Sequence, residues 1–134
     1  MFAAAESVRD TSLFDFALSP GHYLHLDEWV NSPFTAGNSV PVRSGMVMQV
    51  DIIPVSKGPF VYVDLKDGAA LADDELRAKL TQLDPTLMQR VARHRAYMIN
   101  ELGYVLDACV LPLGNTSGWL APYVTNLSLA PTHA

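Results

Sequence analysis

MVMQVDIIPV, residues 46–55, is the stretch on which the fold turns. Its valines and isoleucines suit a pleated, half-buried surface, and the chain-turning residues Ser44-Gly45 before it and Pro54 near its end bound it, so it reads as a strand. One residue in it is out of place. Asp51 is a carboxylate inside an otherwise apolar run, and a carboxylate removed from water without a partner costs several kcal/mol or takes up a proton. The sequence therefore predicts a cation, a lysine or a histidine beside it.

Working outward, HYLHL (22–26) follows Pro20-Gly21, and FVYVDL (60–65) is fenced by Gly58-Pro59 and Asp67-Gly68. Both read as further strands. The link from Asn31 to Arg43 contains Pro33, Gly37, Asn38 and Pro41 and reads as a surface loop, long enough at about a dozen residues to carry function. Side chains alternate along a strand, so His22, Leu24 and Leu26 share one face and Tyr23, His25 and Asp27 the other. The two histidines then point apart and cannot hold one ion unless the segment is bulged or helical. His25 with Asp27 makes a carboxylate–imidazole pair, while His22 between leucines is expected to be partly buried; its plainer role is that of a hydrogen-bonded structural residue. Asp64, Lys66 and Asp67, taken by themselves, read as a strand end and a turn.

At Asp73 the period changes. Leu76, Leu80 and Leu83 recur at helical spacing behind Asp73, Asp74 and Glu75, which suit a helix N-terminus. Asp84-Pro85 then restarts a helix as N-cap and first-turn proline. Leu87 or Met88, Val91, Arg95, Met98 or Ile99 and Leu102 continue it until Gly103. Arg90, Arg93 and His94 lie on the other side and read as a solvated face rather than an anion site. A short strand at 104–110 and an irregular tail over about 111–134 complete the expectation, with residues 1–134 forming one domain.

Composition bounds the function. The chain has 134 residues, 49% hydrophobic and 17% charged, a balance that supports a packed core. A net charge of -5 leaves no broad basic face for phosphates, so nucleic acid is not an expected partner. The start, MFAAAESVRD, meets Glu6 and Asp10 before any long apolar run; we expect neither a signal peptide nor a membrane span, and a cytoplasmic location. The single cysteine, Cys109 in DACVLPL, reads as a small buried side chain rather than a nucleophile. Hydrolase elbows, phosphate loops, dinucleotide fingerprints, paired CxxC and HExxH motifs do not occur.

PGHYLHLDEW, SGMVMQVDIIP and VDLKDGAALAD, in that order, resemble the C-terminal half of the creatinase, Xaa-Pro aminopeptidase and methionine aminopeptidase superfamily, the pita-bread metallopeptidases. The likeness spans about residues 14–75. It implies an α+β fold, half of a pita-bread domain: an antiparallel or mixed curved sheet of three to four strands packed by C-terminal helices. It also implies a site. His22 falls on the family's histidine ligand, Asp51 on a glutamate ligand one methylene longer, and Lys66 on a second glutamate ligand immediately before Asp67-Gly68. Two aspartate ligands drawn from an earlier hairpin have no counterpart, so His22 and Asp51 are the remaining metal ligands of a degenerate site. The cofactor implied by the family is manganese, cobalt or zinc, with no metal in this chain as the alternative. His22 and His25 are the candidate acid–base groups, and Asp27, Glu28, Trp29 and Lys66 the candidate pocket. The resemblance thus implies a Xaa-Pro aminopeptidase-like hydrolase fragment or degenerate relative, inactive as an isolated chain, with a peptide or small amide as its substrate if active. A homodimer or a missing N-terminal half would complete it. The alternative is a non-catalytic ligand-binding, partner-binding or structural domain.

Overall fold

The apolar run at 46–55 lies at the heart of a sheet. The computed structural model describes residues 1–24, 32–58 and 65–114. Strand β3 (Val47–Ile52) is flanked by β2 (Gly21–Tyr23) and β5 (Leu65–Leu71), with β6 (Val110–Pro112) beyond β5. Every neighbouring pair is antiparallel. A second antiparallel sheet joins β1 (Phe14–Phe16) to β4 (Pro54–Ser56), and three helices, α1 (Phe2–Val8), α2 (Asp74–Leu83) and α3 (Pro85–Asn100), complete the described elements. The class is α+β. Among the described residues no helix is long and apolar enough to cross a membrane.

The strand expected at 46–55 is divided between the two sheets: β3 ends at Ile52 and β4 begins at Pro54. Proline has no N–H to give a central ladder, and the Ile53 carbonyl instead accepts a hydrogen bond from Ala17 N at 2.9 Å. The strand expected at 22–26 is seen as Gly21–Tyr23; residues 25 and 26 lie outside those described, as do residues 60–64 of the strand expected at 60–65.

Asp67-Gly68, read from sequence as a turn, instead lies inside β5, with Gly68 opposite Gln49. A Cβ on Gly68 would lie 3.7 Å from Leu113 Cβ and 3.8 Å from Leu24 Cδ1, so the glycine lets leucines from two other segments come down over the strand. The strand expected at 104–110 is displaced to Val110–Pro112. Its delay has a local cause: the Asp107 carboxylate accepts from Cys109 N at 2.9 Å and the Asp107 carbonyl from Val110 N at 3.1 Å, which curls the chain into a turn. The irregular stretch expected from 111 accordingly starts after Pro112, and residues 115–134 lie outside those described.

The helix starts follow the sequence closely. Asp73 accepts from Leu76 N at 2.9 Å and Asp84 from Leu87 N at 2.8 Å, each satisfying a donor that the first turn leaves open. Gly103, with φ +72°, adopts the left-handed conformation that ends the second of these helices. Ala72, Val91 and Leu111 form the buried centre, with Ala70, Leu76, Leu80, Leu87 and Met88 packed on it. Leu83 departs from the expected apolar stripe and is 81% exposed. It is the last residue of α2, where the chain turns away into α3.

Candidate functional site

The site is built on three adjacent strands. Gly21 faces Val50, His22 faces Gln49, and Asp51 faces Lys66. Opposed residues of antiparallel strands project to the same side, and residues two apart on one strand do likewise. His22, Gln49, Asp51 and Lys66 therefore share one face, with Asp51 diagonal to His22 and directly across from Lys66.

Close packing brings β2 against β3. A Cβ added at Gly21 would lie 2.5 Å from the Gln49 carbonyl oxygen and 2.6 Å from the Phe34 ring, so only a glycine permits this approach. Pro20 beside it is fully buried, and its carbonyl accepts from Asp51 N at 3.3 Å. The backbone of the GH step is thus tied to the residue that the histidine meets.

His22 Nε2 lies 3.3 Å from Asp51 Oδ2, and Lys66 Nζ lies 3.2 Å from the same oxygen. His22 is 5% exposed and Asp51 2%, whereas the Lys66 side chain reaches partly into solvent. The partner that the sequence demands for Asp51 is present twice over. Its second oxygen, Oδ1, is buried with no hydrogen-bond partner among the described residues.

The histidine carries a further constraint. Nδ1 lies 3.0 Å from the Tyr23 carbonyl oxygen, which only accepts, and so must donate there. A neutral ring has one N–H. With that hydrogen committed, a contact between Nε2 and a carboxylate oxygen is attractive only if a second proton sits between them, on the ring or on the carboxyl. The cluster thus sets an imidazole and an ammonium against one buried carboxyl group.

These residues do not suit a divalent ion. His22 and Asp51 offer one nitrogen and one carboxylate, and the ammonium at 3.2 Å occupies the space and the charge that a cation would take. Among the described residues no group of three or more histidine, cysteine or acidic side chains is arranged to hold a metal.

His22, Asp51 and Lys66 are thus brought together, while His25, Asp27, Glu28 and Trp29 lie outside the described residues. Gln49 is a member of this face that the sequence reading passed over; its position two residues before Asp51 in a strand was the available clue. Beside Lys66 and Asp67 opens a cleft of about 360 Å³ with apolar walls from Val50, Ile52, Met98 and Tyr104. Cys109 is half-buried rather than buried. A hydrogen bond to Asp107, and then burial, push its thiol above the ordinary cysteine range, which opposes a nucleophilic role. Comparison with protein-family models, with curated proteins and with solved structures yields no match.

Proposed function

We propose that this chain is a degenerate relative of the Xaa-Pro aminopeptidase-like metallopeptidases, built as half of a pita-bread domain, in which the inherited pocket binds a peptide or small amide without hydrolysing it. The observation that carries the reading is the Lys66 ammonium 3.2 Å from Asp51 Oδ2. At the position where the resemblance calls for a bridging carboxylate there is a cation, and the carboxyl group it faces is already shared with His22. Water activation by a fixed metal ion then has no support from these groups. Binding does: the apolar cleft walled by Val50 and Ile52, on the opposite side of β3, can take a side chain, and Asp51 Oδ1, without a hydrogen-bond partner among the described residues, offers an acceptor on the cluster's own face.

A second reading is favoured by that same oxygen. A buried carboxylate atom without a hydrogen-bond partner among the described residues is also what a ligand set awaiting further donors would present. Hydrolysis would then require donors from another chain or segment. Metal content after dialysis, and turnover of X-Pro dipeptides in added manganese, decide between the two. We expect neither stoichiometric metal nor turnover, with saturable binding of the uncleaved dipeptide. Tight stoichiometric metal accompanied by cleavage would reverse the choice, and absence of dipeptide binding would remove the first reading.

A further inference from the structure

A second cavity lies between α3 and the end of β6. It measures about 250 Å³ and is lined by Leu87, Arg90, Val91, His94, Pro112 and Leu113. Arg90 and His94 are one helical turn apart and so stand on the same side of α3. Four of the six lining residues are apolar, and the two polar ones are a guanidinium and an imidazole.

The imidazole is in an unusual position. His94 Nε2 is buried with no hydrogen-bond partner among the described residues. A buried polar atom without a partner forfeits about 1–3 kcal/mol, so the ring has a hydrogen bond to gain from a polar group that enters the cavity. Arg90 makes no ion pair among the described residues and is exposed as a residue. A guanidinium without an ion pair and an imidazole with an unpartnered nitrogen, among the described residues, therefore flank a small recess of mixed polarity.

We propose that this cavity binds a small organic monocarboxylate, with the carboxylate held by Arg90 and the His94 ring and the alkyl group lodged against Leu87, Val91, Pro112 and Leu113. A guanidinium and an N–H donor match the two oxygens of a carboxylate, since both groups are planar and charge assists the contact. A cation is disfavoured by Arg90, and a fully hydrated anion would leave the apolar walls unused. The net charge of the chain is negative, so affinity arises from these two residues and not from a general field. The site shares no residue with the His22 cluster, and it stands whether or not the chain is a peptidase relative.

The test uses the full chain with butyrate, butylamine and inorganic phosphate as probes, followed by backbone amide NMR shifts and calorimetry. Butyrate should saturably perturb residues 87–94 and 110–113, phosphate should do so more weakly, and butylamine not at all. R90Q, at an exposed position, should fold normally by circular dichroism and lose about tenfold in butyrate affinity; H94F should also weaken binding. Equal perturbation by butylamine would show an apolar recess with no anion preference and overturn the proposal. So would unsaturable butyrate shifts, or unchanged butyrate affinity in folded R90Q.

Discussion

Lys66 and Asp51 face each other directly across β5 and β3, with Nζ 3.2 Å from Oδ2. This one cross-strand pair joins the electrostatics of the site to the stability of the sheet. The carboxyl group is 2% exposed and shares the same oxygen with His22, whereas the lysine end is partly solvated.

Removing the ammonium alone should therefore cost more than removing the pair. K66M leaves the buried carboxyl group with one partner fewer and is expected to lower unfolding stability by about 1–3 kcal/mol in urea titrations. The double variant D51L/K66M replaces both groups by apolar ones and should recover most of that loss, because neither charge is then stranded. A double variant as unstable as the sum of its parts would show that the pair is not coupled.

The same contact governs metal affinity. K66E substitutes an oxygen donor for the ammonium, placing a second carboxylate opposite Asp51 and near His22, a donor set of the kind that holds divalent transition metals. After incubation with zinc or manganese and exhaustive dialysis, the unsubstituted chain should retain no stoichiometric metal while K66E retains it measurably. Equal retention by both proteins would mean that Lys66 does not exclude the ion.

What the sequence revealed of this arrangement follows from the range of the forces involved. Helix starts at Asp73 and Asp84 were legible because a cap bonds a backbone N–H three residues away. The need of Asp51 for a partner was legible because burial of a charge is a local cost. The limits of β5 were not. Asp67-Gly68 has the composition of a turn, yet it is held in the ladder by pairing with β3 and by leucines from elsewhere in the chain, which no local pattern announces. The cavity against α3 was missed for a related reason: His94 was read as part of a solvated face, yet it stands at helical spacing from Leu87, Val91 and Met98 beside the apolar stripe, and Pro112 and Leu113 come back from β6 to wall it in.

Acid should weaken the fold through its loops and caps. Asp10, Asp15, Asp73 and Asp107 are all held below the ordinary carboxylate range: Asp10 chiefly by the Ser12 hydroxyl, Asp15 by Lys57, Asp73 by Leu76 N–H and Asp107 by Cys109 N–H. A carboxyl group whose folded pKa is depressed binds protons more readily when unfolded. Its stabilisation is complete above the unfolded value, near pH 3.9, and is lost as pH falls through the lower folded value. Melting temperature should accordingly drop below about pH 4, and D73N and D15N should each flatten that drop. A melting temperature unchanged on descent through this window would contradict the assignment.

A severe steric demand from the backbone of the central strand falls on Gly21, one residue before the buried histidine. Its absent side chain leaves the Gln49 carbonyl and the Phe34 ring where a Cβ would otherwise sit, at 2.5 and 2.6 Å. The ring can rotate away, but the carbonyl belongs to the central strand and cannot move without disturbing the ladder that positions Asp51. G21A is therefore expected to destabilise by about 2–4 kcal/mol, beyond what helix or loop glycines ordinarily cost. G37A is the control, since nothing lies within 4 Å of a Cβ there and only its positive φ is strained. If β2 is held against β3 as described, amide exchange in G21A should quicken first at His22 and Asp51, and adding F34A should relieve only part of the loss. Equal stability of G21A and G37A would show that the approach of these two strands is looser than the contacts require.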